Sequence, residues 1–562
     1  MIQIAFINGN KRFFLEERLM MKKRKIGHAR GHGHGHERKK GLRALFPSLF
    51  RARAPARVRA RSSLLSLFFL LLLLASCERG RPSNPPEEQA LRMSIHTEPP
   101  TMDSRRATDT TSINLIHMCF EGLLREDGPG VASRFEASDD KMRYTFYLRD
   151  AKWSDGTPVT AFDFADTWTT ILSPNFPSEF ANELFVIKNG RAFKAGKAAK
   201  EDLGIKVIDD KTLEVNLEHP TTYFTQLVAT SYFFPYKNDV GNGPFKMVSW
   251  KHYDEMIMIK SETYWDKDKV KLQKLFFPII QDETTELSMY ESGELDWAGQ
   301  PFSTIPLDSL QTILKTHTMQ TIPLAGVYYY IFNTEKPPFN NVNMRKAFTL
   351  AINRQTIIDN ILQGKQMMAL SYIPPNLWKE KSKPAFSDHD IADAKKFFAL
   401  GLKELGGKLP TITLSYNTSE GHHKIAQAIQ QQWKEAFGVD VQLENKEWKV
   451  FLSEINKHQY QVARLGGLAA YNDPVTFLDE ANTDRTGWKN ADYDKFIEMA
   501  RQATDAKTRE ELLHQAETVL LEDMPLAPIY FYTSSYLEKP YVKGVVFTNT
   551  GQIDLKYAYI HH

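Results

Sequence analysis

Few residues in this chain have the type and spacing that bond chemistry needs. After residue 77 there is no G-x-S-x-G, H-E-x-x-H, Walker A loop or Rossmann glycine fingerprint. Gly241-Asn-Gly-Pro-Phe-Lys246 has glycines and a lysine, but Pro244 and the spacing suit a turn rather than a phosphate cradle. His28, His32, His34 and His36 alternate among lysines and arginines, a pattern that can bind transition metals. They precede a signal that would be removed with them, and a start placed too far upstream also accounts for them. His422-His423 stands at an expected helix start, either solvated or turned to a ligand. Two cysteines, Cys77 and Cys119, cannot make a disulfide framework or a four-cysteine zinc site. Aromatic rings are plentiful, in Tyr328-Tyr-Tyr-Ile-Phe332 and Tyr530-Phe-Tyr-Thr-Ser-Ser-Tyr536. They suit core strands, and also a large cleft that holds varied side chains. A secreted hydrolase would need a nucleophile, a base and an acid, and no such set is found. No enzyme, metal or cofactor is expected.

The 562 residues allow three or four domains, or one large multi-lobed protein. Charge is divided along the chain: residues 1–76 hold 17 Lys/Arg and 3 Asp/Glu, a balance of +14. The other 54 basic and 65 acidic residues balance at −11, so a nucleic-acid partner is disfavoured.

Leu64 to Ala75 is the one continuously apolar stretch. It is too short for the roughly 20 residues that a membrane-spanning helix needs. With Arg51, Arg53, Arg57, Arg59 and Arg61 before it, the stretch reads as the apolar part of a secretory signal. Leu74-Ala-Ser-Cys77 resembles a bacterial lipobox, in which Cys77 would carry lipid and become the mature N-terminus. An ordinary signal with an incidental cysteine is the alternative. Glu78 to Gln89 is polar and Pro-rich, as a flexible tether should be.

The mature chain alternates strands and helices. Arg143 to Arg149 and Leu213 to Leu217 read as strands, and Trp153 to Pro158 as a turn. Thr160 should cap a helix with Phe162, Ala165 and Trp168 on one face. A helix is expected from Asn343 to Gly364. Thr411 to Tyr416 reads as a strand and His422 to Phe437 as a helix stopped by Gly438. Val439, Val441 and Leu443 then form the next strand of an α/β unit.

Several segments together resemble the extracytoplasmic oligopeptide-binding proteins of ABC importers, in the peptide/nickel class of solute-binding proteins. They are Phe120-Glu-Gly-Leu-Leu124, Tyr144 to Thr160, Gly241 to Phe245, and Ser261-Glu-Thr-Tyr-Trp265. Lys336-Pro-Pro-Phe-Asn340 with Arg345-Lys-Ala-Phe348, Tyr416-Asn-Thr-Ser-Glu420, Glu447-Trp448, Val462-Ala-Arg464 and Tyr471-Asn-Asp-Pro474 follow in the same order. The resemblance implies an α/β, two-lobed, type II periplasmic-binding-protein-like fold with an extra domain and a hinge. Signal region 1–76 and tether 77–93 would precede first-lobe segments 94–124 and 221–325, with the extra domain at 125–220. The second lobe would be 326–536, and 537–562 would return to the first. Oligopeptide ligand and ABC permease subunits are the implied partners. The place is the periplasm or outer face of the cytoplasmic membrane, lipid-anchored, and the expected state is a monomer.

Carried over residue by residue, Arg464 would meet a peptide carboxylate, or else form a structural ion pair. His422 would lie near the peptide's C-terminal end, or simply be exposed. Trp448 would line the cleft, or pack in the core. Tyr471, Asn472 and Asp473 belong to the same cleft run. One departure matters: peptide-binding relatives carry an aspartate for the α-ammonium where this chain has Ala470, and a tryptophan where it has Gly467. Asp473 could take over that role. The ligand is therefore an oligopeptide, or else a murein-derived or N-blocked peptide or another solute. A docking or signalling lipoprotein is a further alternative.

Overall fold

The computed structural model describes residues 88–238, 240–379, 383–478 and 484–562. All belong to one unit that runs from Pro85 to His562. The signal region, Cys77 and the tether up to residue 87 lie outside the described residues, as do the alternating histidines.

Strand β1 (Ala90–Arg92) opens the described chain. β2 (Ala132–Ala137) and β3 (Arg143–Leu148) follow, and β3 buries Tyr144, Phe146 and Leu148 in strict alternation, the signature of a strand with one covered face. Helix α1 (Ala161–Leu172) starts where Thr160 donates its N–H to the Asp163 carboxylate at 2.7 Å, a reciprocal cap at a helix start. Its buried face carries Phe164, Ala165 and Trp168, whereas Phe162 is exposed, so the expected face is rotated. The Trp168 indole decides the rotation by donating to the Phe233 carbonyl at 2.9 Å. β4 (Ile205–Asp209) and β5 (Thr212–Asn216) complete an antiparallel sheet in the order β2-β3-β5-β4. β6 (Phe245–Lys251), β7 (Glu255–Lys260) and β8 (Lys274–Pro278) form a meander, to which β1 adds in parallel beside β8.

The largest sheet takes strands from far apart in sequence. β9 (Trp297–Gly299) and the 13-residue β10 (Gln320–Phe332) lead to helix α2 (Val342–Leu350). β11 (Ile412–Asn417), α3 (Glu420–Phe437) and the parallel β12 (Val441–Lys446) form the expected α/β unit. Gly438 ends α3 at φ 70°, a left-handed exit that glycine takes without strain. Helix α4 (Trp448–Asn456), β13 (Val462–Leu468), helix α5 (Ala506–Asp523) and the 13-residue β14 (Leu526–Glu538) follow. The strand order is β9-β14-β10-β13-β11-β12. β10 and β14 are the two long members. Their far halves pair Gln320–Pro323 with Thr533–Tyr536, and β9 extends β14 toward the bridge between Met93 and Trp297 beside the β1 sheet.

One helix expectation needs correction. The stretch from Asn343 to Gly364 is not a single helix. Asn341 caps α2, whose regular turns end at Leu350, and Asn353 caps a new short helix from Arg354. Asparagine amides that accept backbone N–H groups compete with helix continuation, as Asn353 does by accepting from Thr356 at 3.0 Å. Fully buried Arg354 reinforces the break by donating to the Pro528 carbonyl at 2.7 Å.

Candidate functional site

β13 places Arg464 and Gly466 on one face, since strand side chains alternate. Arg464 is only 2% exposed. Its Nη1 donates to Asn417 Oδ1 at 3.3 Å and its Nη2 to the Tyr532 hydroxyl at 3.0 Å. The guanidinium carbon lies 4.5 Å from the centre of the Tyr328 ring. Nε is sealed from solvent with no acceptor. Among the described residues no carboxylate pairs with this cation, so the ion-pair alternative for Arg464 is set aside. A buried charge without a counter-charge costs several kcal/mol, which neutral acceptors and a ring face offset only in part.

Tyrosines form the walls. Tyr328 stacks on Tyr530 with centroids 4.8 Å apart, and Tyr530 meets Tyr532 edge-on at 5.6 Å. Gly466 admits the Tyr532 hydroxyl: a Cβ there would stand 2.3 Å from it. His422, in the first turn of α3, is buried, with Nδ1 3.4 Å from the Tyr328 hydroxyl, so the reading of it as a merely exposed histidine is corrected. Burial first, and the nearby Arg464 charge second, push its pKa down to about 2. It is a neutral imidazole beside a cation.

The far end of β13 is arranged differently. The Asp473 carboxylate accepts from Arg509 of α5 through both oxygens, at 2.7 and 2.8 Å, and the pair is buried. Asp473 Oδ1 also accepts the Val475 N–H at 3.0 Å. The carboxylate expected as a possible substitute ammonium acceptor is thus engaged by the protein. Tyr471 stacks on Tyr223 at 5.5 Å with planes 5° apart, and Arg509 lies 4.6 Å from the Tyr223 ring centre. Asn472 Oδ1 accepts from Asn549 at 3.1 Å. The Ala470 carbonyl accepts from the Tyr232 hydroxyl. Trp448 begins α4, half-buried and 6.1 Å from Phe451, rather than in the tyrosine box.

Arg464, His422 and the box tyrosines are therefore together at one end, and Ala470 to Asp473 at the other. Sequence reasoning missed Arg509, which carries no motif and meets Asp473 only through folding. It also missed Tyr232 and Tyr223, which belong to none of the motifs singled out in the sequence. A separate small cleft, of about 80 Å³, is lined by Arg125, Glu126, Asp127, Phe234, Phe547 and Asp554 among others. Burial pushes the Glu126 carboxyl up to about 7 there.

The model for the bacterial extracellular solute-binding proteins, family 5 (middle), matches residues 128–489. The oligopeptide-binding protein OppA of Bacillus subtilis is 41% identical over 534 residues, covering 88% of this chain and 98% of its own. The unliganded open form of the periplasmic murein tripeptide-binding protein MppA superposes with a TM-score of 0.73 at 32% identity, covering 85% of this chain and 98% of its own. Listeria monocytogenes OppA bound to peptide gives 0.68 at 31% identity, over 84% and 99% of the two chains.

Proposed function

This chain belongs to the bacterial extracellular solute-binding proteins of family 5, whose fold is two-lobed and α/β, and from that premise we propose that it captures oligopeptides for an ABC importer. The observation that supports this reading is the buried Arg464 guanidinium, which among the described residues has neutral partners and an Nε without an acceptor. A carboxylate-ended ligand supplies the missing counter-charge, and Arg is the side chain best shaped to receive it. His422 stays neutral at the same place and adds no competing charge.

In this reading 94–124, 221–325 and 537–562 make one lobe, 125–220 its extra domain, and 326–536 the other lobe. β10 and β14 cross between them. Ligand contacts to both lobes favour the closed form, because a ligand shifts such an equilibrium only by its differential affinity. Cys77 carries the lipid that holds a monomeric protein at the outer face of the membrane. Among the described residues no helix is long and apolar enough to cross a membrane.

A murein-derived or N-blocked peptide is the second reading of the ligand. It is favoured by the methyl group at Ala470 and by the engagement of Asp473 with Arg509. Ligand released from purified residues 78–562 and identified by mass spectrometry tests both. Carboxylate-ended peptides are the expected finding. Recovery only of solutes without a carboxylate would overturn the proposal.

A further inference from the structure

β13 starts near a donor without an acceptor and runs into acceptors that already have donors. From Arg464 to Ala470 an extended strand covers about 20 Å, so a ligand anchored at Arg464 and laid along the strand reaches residues 470–473. There the Ala470 carbonyl takes the Tyr232 hydroxyl and the Tyr471 carbonyl takes the Asp473 N–H at 2.8 Å. Asn472 Oδ1 takes Asn549, and both Asp473 oxygens take Arg509. Tyr232 is 5% exposed and stacked on Phe180 at 4.7 Å, so its hydroxyl is fixed rather than swinging.

We propose that Tyr232 is a specificity-determining residue: by capping the Ala470 carbonyl, with Asn549 and Arg509 at its side, it closes this end of the site to an ammonium group. The ligand is then held by its carboxylate end alone. An ammonium placed here would lose its water and find each of these acceptors already engaged, whereas an acetylated or otherwise uncharged end loses little. The selected class is a carboxylate-ended ligand whose other end carries no charge requirement. The inference rests on the reading of Arg464 as the carboxylate anchor.

Calorimetry on matched alanine tri- to pentapeptides, each free and N-acetylated, tests it. The unmodified protein should bind the two forms within about threefold of each other, less than one net hydrogen bond is worth. Tyr232→Phe frees the carbonyl, so the free amine should gain about fivefold while the acetylated form is unchanged. Glu183 lies close enough for its charge to act on Tyr223 and Tyr232. A preference of the unmodified protein for the free amine by more than about tenfold, lost on Glu183→Gln, would overturn the inference and move the anchor to that side chain. Equal losses for both forms in Tyr232→Phe would reduce Tyr232 to a structural role and also overturn it. Binding of neither form by the unmodified protein would instead sink the oligopeptide reading, and the inference with it. The comparison on the unmodified protein needs no variant to fold.

Discussion

Arg464 and Arg509 are both guanidinium groups buried against a tyrosine face, one near each end of the same stretch of chain. Arg464 stands 4.5 Å from the Tyr328 ring centre and Arg509 4.6 Å from that of Tyr223. They are 2% and 7% exposed. What differs is the acceptor. Arg509 has both oxygens of Asp473, while Arg464 has an amide oxygen, a phenol and an idle Nε. The same desolvation penalty is answered by a carboxylate of the protein in one case and only by neutral groups in the other. In the proposed reading it is burial without a counter-charge, rather than burial alone, that sets Arg464 apart from Arg509.

The largest effect should come from making the second cation resemble the first. Asp473→Ala leaves Arg509 buried and unpaired and should cost about 3–5 kcal/mol of stability. Arg464→Met removes a cation that has no carboxylate partner among the described residues and should change stability by about 1 kcal/mol or less. Urea unfolding of the two variants side by side measures the contrast. Equal losses would mean that Arg464 is as structural as Arg509.

Ligand binding should reverse the ranking of Arg464. In Arg464→Ala, peptides ending in a carboxylate should lose about 2–5 kcal/mol of binding free energy. Their C-terminal amides should lose far less, because they brought no charge to the cation. Titration of matched acid and amide peptides reads the difference. Equal losses for both would return Arg464 to a packing role.

Much of this was legible in the sequence where the signal was local. The alternation in Arg143 to Leu148, the Thr160 cap and the Gly438 stop each depend on neighbours within a few positions, and the structure has them. The break at Ala351–Asn353 was not legible, because apolar spacing continued through it while the Asn353 cap and Arg354 settled the matter. The site divides in the same way. Arg464 and His422 could be named from short motifs, but that no carboxylate among the described residues stands beside Arg464 is a property of packing. So is the pairing of Asp473 with Arg509, 36 residues away. Nothing in the Asp473 neighbourhood of the sequence distinguishes a carboxylate facing a ligand from one facing α5.

The last predicted effect, small near neutral pH, tests whether the Arg464 end is as positive as its geometry implies. His422 is held at about 2, by burial first and then by Arg464. A free histidine titrates near 6.5, so on acidification the unfolded chain takes this proton before the folded one does. The contribution of His422 is therefore whole above about pH 6.5 and is lost progressively as pH falls toward its folded pKa. Replacing it, as in His422→Gln, should flatten the acid side of the stability profile by up to about 1.4 kcal/mol per pH unit. His117, pushed down to about 4 by burial, acts in the same direction, so the difference between the two profiles isolates His422. The ring should stay neutral at about pH 5 by nuclear magnetic resonance, and in Arg464→Met its pKa should rise without reaching the free value, because burial remains. A ring that titrates near 6.5 in the unmodified protein would mean that water or an unseen acceptor already shields Arg464. The contrast with Arg509 would then disappear.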